Sequence, residues 1–203
     1  MVYLIIIVIC ALIIYVFNAI FNPAGIDLPW VYYLLAVIIF IAGEILIDAL
    51  VAIIGRKLPE KCVNPRKGMI MCHDWEMNFF NFIGVKKWKD YMPDLGRFTN
   101  FPKGNLMDPL NNEYIKRYIL EASYGIWIHY VSVPASPLIF LLGLIQPNNP
   151  TVWTVGAPVV FVNMVLILLP AFTLKYNLPR LIRIADMNDR FLQKRKEEQK
   201  NDD

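Results

Sequence analysis

The stretch IAGEILIDAL, residues 41 to 50, sets two carboxylates, Glu44 and Asp48, among residues that are otherwise apolar or glycine. An ionised side chain in hydrocarbon costs at least about 2.5 to 3.5 kcal/mol, so acids in such a run face a partner or a polar cavity and often mark function. Their four-residue spacing places both on one helical face. A second polar series, Glu121, Gly125 and His129, repeats at the same interval within EASYGIWIH. Counting 1.5 Å per residue from Arg56 and Arg117 as inner-surface markers sets Asp48 and Glu44 about 12 and 18 Å deep, and Glu121 and His129 about 6 and 18 Å deep. On that count Glu44 and His129 are level. An imidazole beside a carboxylate suits general base catalysis, because the ring titrates near working pH and the carboxylate fixes which nitrogen carries the proton. Gly125 leaves room for a helix or a ligand chain between its two polar neighbours. Two other readings of the same set are hydrogen-bonded helix glue and a site of His and carboxylate metal ligands.

The elements that position these groups are legible from hydropathy. The chain has 203 residues, of which 57% are hydrophobic, and a mean hydropathy of +0.44, which is too apolar for an ordinary soluble domain. Four stretches are long enough to cross a hydrocarbon core roughly 30 Å thick: residues 2–21, 31–54, 119–145 and 151–174. The expected fold is therefore all-α, a single polytopic membrane domain over 1–203 with about four transmembrane helices in two hairpins. Of the 20 Lys and Arg residues, twelve lie between Arg56 and Arg117 and eight from Lys175 onward. By the positive-inside tendency the insert 55–118 and the tail 175–203 are both cytoplasmic, and so are both termini. The one-sided charge points to a bilayer and not to nucleic acid. The first segment lacks a basic leading region and its apolar run is longer than a signal peptide needs, so it reads as a retained helix. Cys10, Cys62 and Cys72 match no common zinc spacing, CHD at Cys72 to Asp74 is a weak metal signal, and reduced thiols are expected.

The insert is more than a linker. DWEMNFFNFIGVKKWKDYMPDLGRF interleaves Trp75, Phe79, Phe80, Phe82, Trp88, Tyr91 and Phe98 with lysines and acids. Such a sequence suits either a short amphipathic helix at the headgroup layer or a small aromatic core packed under a loop. Pro93, Gly96, Pro102, Gly104 and Pro109 then break the chain into turns, and a helix starts near Asn111 or Asn112 with Glu113 in its first turn. Pro134 and Pro137 should kink or break that helix, with a crevice near the bend. In the tail, Lys194, Arg195, Lys196 and Lys200 are mixed with acids from Glu197 to Asp203, as in a solvated helix end.

From Gly84 onward the chain resembles the bacterial glycosyl-diaponeurosporenoate acyltransferase family, which esterifies the sugar of a carotenoid glycoside. The words that carry the resemblance are WKDYMPDLG at Trp88 to Gly96, FPKGNL at Phe101 to Leu106, Glu121 eight residues before the HY of His129 and Tyr130, and YNLPRL at Tyr176 to Leu181. Where the family resembles E-T-R-R-A-E-x-x-H-W this chain reads EASYGIWIHY, with Ile126 at the second acid position and Ser123 and Tyr124 at the arginines. Glu44, from a neighbouring helix, is the expected substitute for the missing acid.

The resemblance implies acyl transfer from a thioester, carried by acyl-CoA or acyl carrier protein as co-substrate, to a hydroxyl of a lipid-like or glycolipid acceptor in the bacterial cytoplasmic membrane. Such a step needs a base near the hydroxyl and donors for the developing oxyanion. His129 is the expected base, with Glu121 or Glu44 fixing its tautomer. Lys89, Arg97 and Arg180 are expected to meet a carrier's phosphates or the oxyanion, and Trp88, Asp90, Tyr130 and Asp48 complete the substrate site. The box of His followed five residues later by Asp is absent, since Asn78 follows His73 and Pro134 follows His129 at that distance. No G-x-S-x-G elbow occurs, so direct transfer is the simpler scheme, and no metal is implied. Competing classes are a non-enzymatic membrane scaffold or assembly protein and a small-bundle membrane methyltransferase or reductase.

Overall fold

A computed structural model describes residues 2–23, 25, 29–91, 108–144 and 150–202. Arg97, Lys103, Phe98, the turn residues Pro93, Gly96, Pro102 and Gly104, and the FPKGNL word lie outside the described residues. Among the described residues every regular element is helical. The α-helices of the described residues are α1 (Val2–Phe21), α2 (Trp30–Arg56), α3 (Asp74–Phe82), α4 (Val85–Trp88), α5 (Asn112–Ala135) and α6 (Ala157–Asp202). Among the described residues four helical stretches are long and apolar enough to cross a membrane: Leu4–Phe21, Trp30–Arg56, Asn112–Leu141 and Val152–Gln199.

Local sequence accounts for the boundaries. α2 starts directly after Pro29 and closes on Arg56, a cation at the negative end of the helix dipole. α5 includes Pro134 in its last turn and gives way to a 3-10 helix, Ser136–Leu144, which is the break expected at the two prolines. A π-helical turn, Val152–Gly156, precedes α6. The fourth stretch ends at residue 174 by hydropathy, but its helix runs on to Asp202. No glycine interrupts the charged tail, and good helix formers such as Arg, Leu, Lys, Glu and Gln carry it onward.

The backbone falls into two compact units: Met1–Lys57 with Ile128–Pro170, and Leu58–Trp127 with Ala171–Asp203. The first is built around Tyr33, Val37, Phe40, Ile139, Val155 and Val159. Close approach is specified by glycine: a Cβ on Gly156 would lie 2.6 Å from the Phe40 ring, and one on Gly43 would lie 2.5 Å from Ile139. Asn18, fully buried on α1, donates from Nδ2 to the Ile14 carbonyl at 2.9 Å and to the Thr154 carbonyl of the π turn at 3.1 Å. Outward side chains such as Val8, Leu12, Ile38 and Ile45 are aliphatic and more than half exposed. An apolar surface of that extent is what a bilayer covers.

In the second unit the aromatic insert packs some of its rings into a small core and turns others outward. Phe80 is buried and lies 5.3 Å from the Phe172 ring, and Phe79 meets that ring edge-on at 5.9 Å. Trp75, Phe82 and Tyr91 face outward. At the centre, Lys175 of α6 donates to the Glu76 carboxylate at 2.5 Å and to the Met69 carbonyl at 2.8 Å. Glu76 in turn accepts the His73 backbone N–H at 2.9 Å, capping α3. Farther along α6, Asp189 accepts from Asn112 at 2.5 Å and from Lys116 at 2.8 Å, and Asp186 pairs with Arg66.

Burial, followed by the nearby Glu76 carboxylate, pushes the Cys72 thiol up to about 11. Only the thiolate reacts, so iodoacetamide at pH 8 should modify Cys72 at least about tenfold more slowly than an ordinary exposed thiol of pKa about 8.5. The rate should climb through pH 11. Equal rates at pH 8, read by mass spectrometry, would contradict this placement.

Candidate active site

Glu44 and Asp48 sit one turn apart on α2, and Asn163 of α6 reaches both. Its Nδ2 donates to Glu44 Oε2 at 2.6 Å, with Asp48 Oδ2 at 3.3 Å and the Ser136 hydroxyl oxygen at 3.2 Å. The Ser132 hydroxyl lies against Asp48 and the Ser136 hydroxyl against Glu44. Glu44 is 2% exposed, Ser132 2% and Ser136 0%. Two carboxyl oxygens, Glu44 Oε1 and Asp48 Oδ1, are buried without a hydrogen-bond partner. Orphaned acceptors of this kind each cost about 1–3 kcal/mol and call for a donor from outside the cluster.

The helix break explains how three elements converge. Pro134 withholds an N–H from α5, the chain tightens into the 3-10 form at Ser136, and a short hydroxyl can then meet α2. His129, Ser132 and Ser136 follow an i, i+3, i+7 pattern and share one face. Glu44 stands opposite Ser136, seven residues or about 10 Å along the chain from His129, and Asp48 stands opposite Ser132, three residues or about 4.5 Å from it. This corrects the depth count, which made Glu44 level with His129. A count from an arginine on each helix, Arg56 and Arg117, carries no information about the offset between α2 and α5, which is about two turns. Asp48 is the acid closer in level to His129.

His129 and Tyr130 are half-buried on α5, and both are engaged in polar or ring contacts. Glu121, eight residues earlier on the same helix, accepts from Arg117 at 3.0 Å. In the second unit, two of the sequence words come together. Lys89 of WKDY donates to Asn177 Oδ1 at 2.9 Å and sits 5.4 Å from the centre of the Tyr176 ring, both in YNLPRL. Trp88 donates from Nε1 to the Ile83 carbonyl at 3.1 Å, and Asp90 and Arg180 are exposed. Arg97 lies outside the described residues.

Sequence reasoning missed Asn163, Ser132 and Ser136. Asn163 carries the same signal as Glu44, since it is the one polar residue in VVFVNMVLILL, and it was there to be weighed as a partner. Ser132 and Ser136 are small enough to pass for the ordinary composition of a membrane helix.

Helices of membrane-crossing length around a buried cluster of carboxylate, amide and hydroxyl groups are the build of a polytopic membrane protein. The profile of the glycosyl-4,4'-diaponeurosporenoate acyltransferase family matches residues 66–187, more than half of the chain. The chain belongs to that family and is an acyltransferase. Neither a curated protein nor a solved structure matches it. The matched segment contains Lys89, Glu121, His129, Ser132, Ser136, Asn163 and Arg180, while Glu44 and Asp48 precede it.

Proposed function

We propose that the protein transfers a fatty acyl group from a thioester to a hydroxyl of a glycosylated carotenoid or a similar lipid within the bacterial cytoplasmic membrane. The observation that carries this reading is the family match across residues 66–187, which includes the Glu121 and His129 pair. The donor is acyl-CoA or acyl carrier protein. His129 takes the acceptor hydroxyl proton as its oxygen attacks the thioester carbonyl. The tetrahedral oxyanion then collapses, the carbon to sulfur bond breaks, and the proton passes to the departing thiolate. Asp48 is the positioning residue for the imidazole, held in turn by Asn163, whose amide also donates to Glu44. Lys89, Arg180 and Arg97 are the cations proposed to receive the carrier's phosphates, with Trp88 and Asp90 shaping that corner, while Tyr130 lies beside the base. Glu121 keeps Arg117 in place and contributes to the acceptor side.

Lipid extracts of cells expressing wild type or His129→Ala test the reading. Wild type should yield an acylated glycolipid that the variant lacks, and identical extracts would refute it. The proposed topology has both termini inside. Reporter fusions after Pro147 should read outside and those after Lys103 or Lys194 inside, and an outside signal at Lys103 would overturn it.

A further inference from the structure

In the first unit, α1, α2 and α6 enclose a groove lined by Ile7, Ala11 and Ile14 of α1, Ile41 of α2 and Leu166 of α6, together with Glu44 and Asn163. From Ile7 to Ile14 the groove follows α1 for about 10 Å. On each neighbouring helix the polar residue sits between apolar lining positions, Glu44 between Ile41 and Ile45, and Asn163 between Val159 and Leu166. Ile45, on the rim, is 62% exposed, so the groove opens among outward-facing aliphatic side chains. Most of its lining precedes residue 66 and so comes from sequence outside the family segment.

A groove that served only packing would have no use for a carboxylate. Asn163 satisfies Glu44 Oε2, but Glu44 Oε1 has no donor, and Glu44 is 2% exposed. No water is at hand in hydrocarbon to supply one. An occupant made only of hydrocarbon would leave that acceptor orphaned, whereas a neutral hydroxyl satisfies it without burying a second charge. We propose that this groove seats a lipid alcohol that enters sideways from the bilayer, its hydrocarbon along Ile7, Ile14, Ile41 and Leu166 and one hydroxyl donating to Glu44 Oε1. The assignment rests on the acyltransferase reading, in which the acceptor is a hydroxyl-bearing lipid, and it makes Glu44 a recognition residue for an acceptor hydroxyl other than the one that His129, about 10 Å away along the helix, deprotonates.

The test uses the full chain in lipid nanodiscs without any acyl donor and, as probe, dodecanol carrying a photoreactive diazirine in its chain. Crosslinks should map to α1 between Ile7 and Ile14, and excess dodecanol should compete at least about fivefold better than dodecane, the factor that one net hydrogen bond of about 1 kcal/mol gives. Glu44→Leu should abolish the preference for the alcohol, and Ala11→Phe, which fills the groove and leaves Glu44 intact, should abolish the labelling. Equal competition by dodecane, labelling that survives Ala11→Phe, or an alcohol preference that survives Glu44→Leu would each overturn the proposal. Because binding is read without turnover, the two readings fail separately. A wild type that shows the alcohol preference but forms no ester contradicts acyl transfer alone, and Ala11→Phe protein that acylates normally contradicts the groove alone.

Discussion

His129→Gln is expected to lower acyl transfer by at least about 100-fold while the protein stays folded, because a general base contributes roughly 100- to 10,000-fold and the amide cannot take the proton. If Asp48 positions the imidazole, Asp48→Asn should lower turnover by a smaller factor, and adding it to His129→Gln should cost almost nothing further. Such non-additivity is the mark of residues acting as a unit. Glu44→Gln, which reaches the base only through Asn163 and Asp48, should have the weakest effect of the three. Steady-state rates for the set decide the matter. Near-normal turnover in His129→Gln would remove the base assignment, and fully additive losses for His129 and Asp48 would remove the positioning role.

Lys175→Met should destabilise the second unit by about 3–5 kcal/mol, the usual cost of leaving one member of a buried ion pair alone. Lys175 is 2% exposed and Glu76 is 5% exposed, so solvent cannot take over the role of the missing ammonium. The substitution also strips the donor from the Met69 carbonyl. Adding Glu76→Gln should recover part of the loss, since the amide keeps an acceptor for the His73 N–H and removes the stranded charge. Denaturant titration in micelles reads the effect. A loss under about 1 kcal/mol would place the pair with ordinary surface ion pairs.

Much of the helical framework was readable because composition and length decide it. α1 follows from an apolar run broken only by Asn18, and α2 from a run bounded by Pro29 and Arg56. The break after Pro134 follows from a missing N–H. The length of α6 was not readable from hydropathy, because a helix that leaves an apolar stretch can continue on intrinsic propensity and on partners distant in sequence, such as Arg66 and Asn112. The candidate site was half legible. Glu44 and Asp48 announce themselves by their cost in hydrocarbon, and His129 by its place in a family-like word. Their mutual level was not legible, because the offset between α2 and α5 is set by which side chains interdigitate, here Ser136 with Glu44 and Ser132 with Asp48. The buried Lys175 looked like one more inner-surface cation, because sequence does not show that Glu76 faces it from 99 residues away.

Reconstitution tests the central claim most directly. Purified full-length protein in lipid nanodiscs is supplied with a radiolabelled long-chain acyl-CoA and a glycosylated carotenoid, and the lipid fraction is separated and counted. The account predicts label in an alkali-labile ester of the glycolipid, formed with release of free coenzyme A and lost in His129→Gln. Label that stays in acyl-CoA with wild type, or an ester that forms equally with His129→Gln, would contradict it.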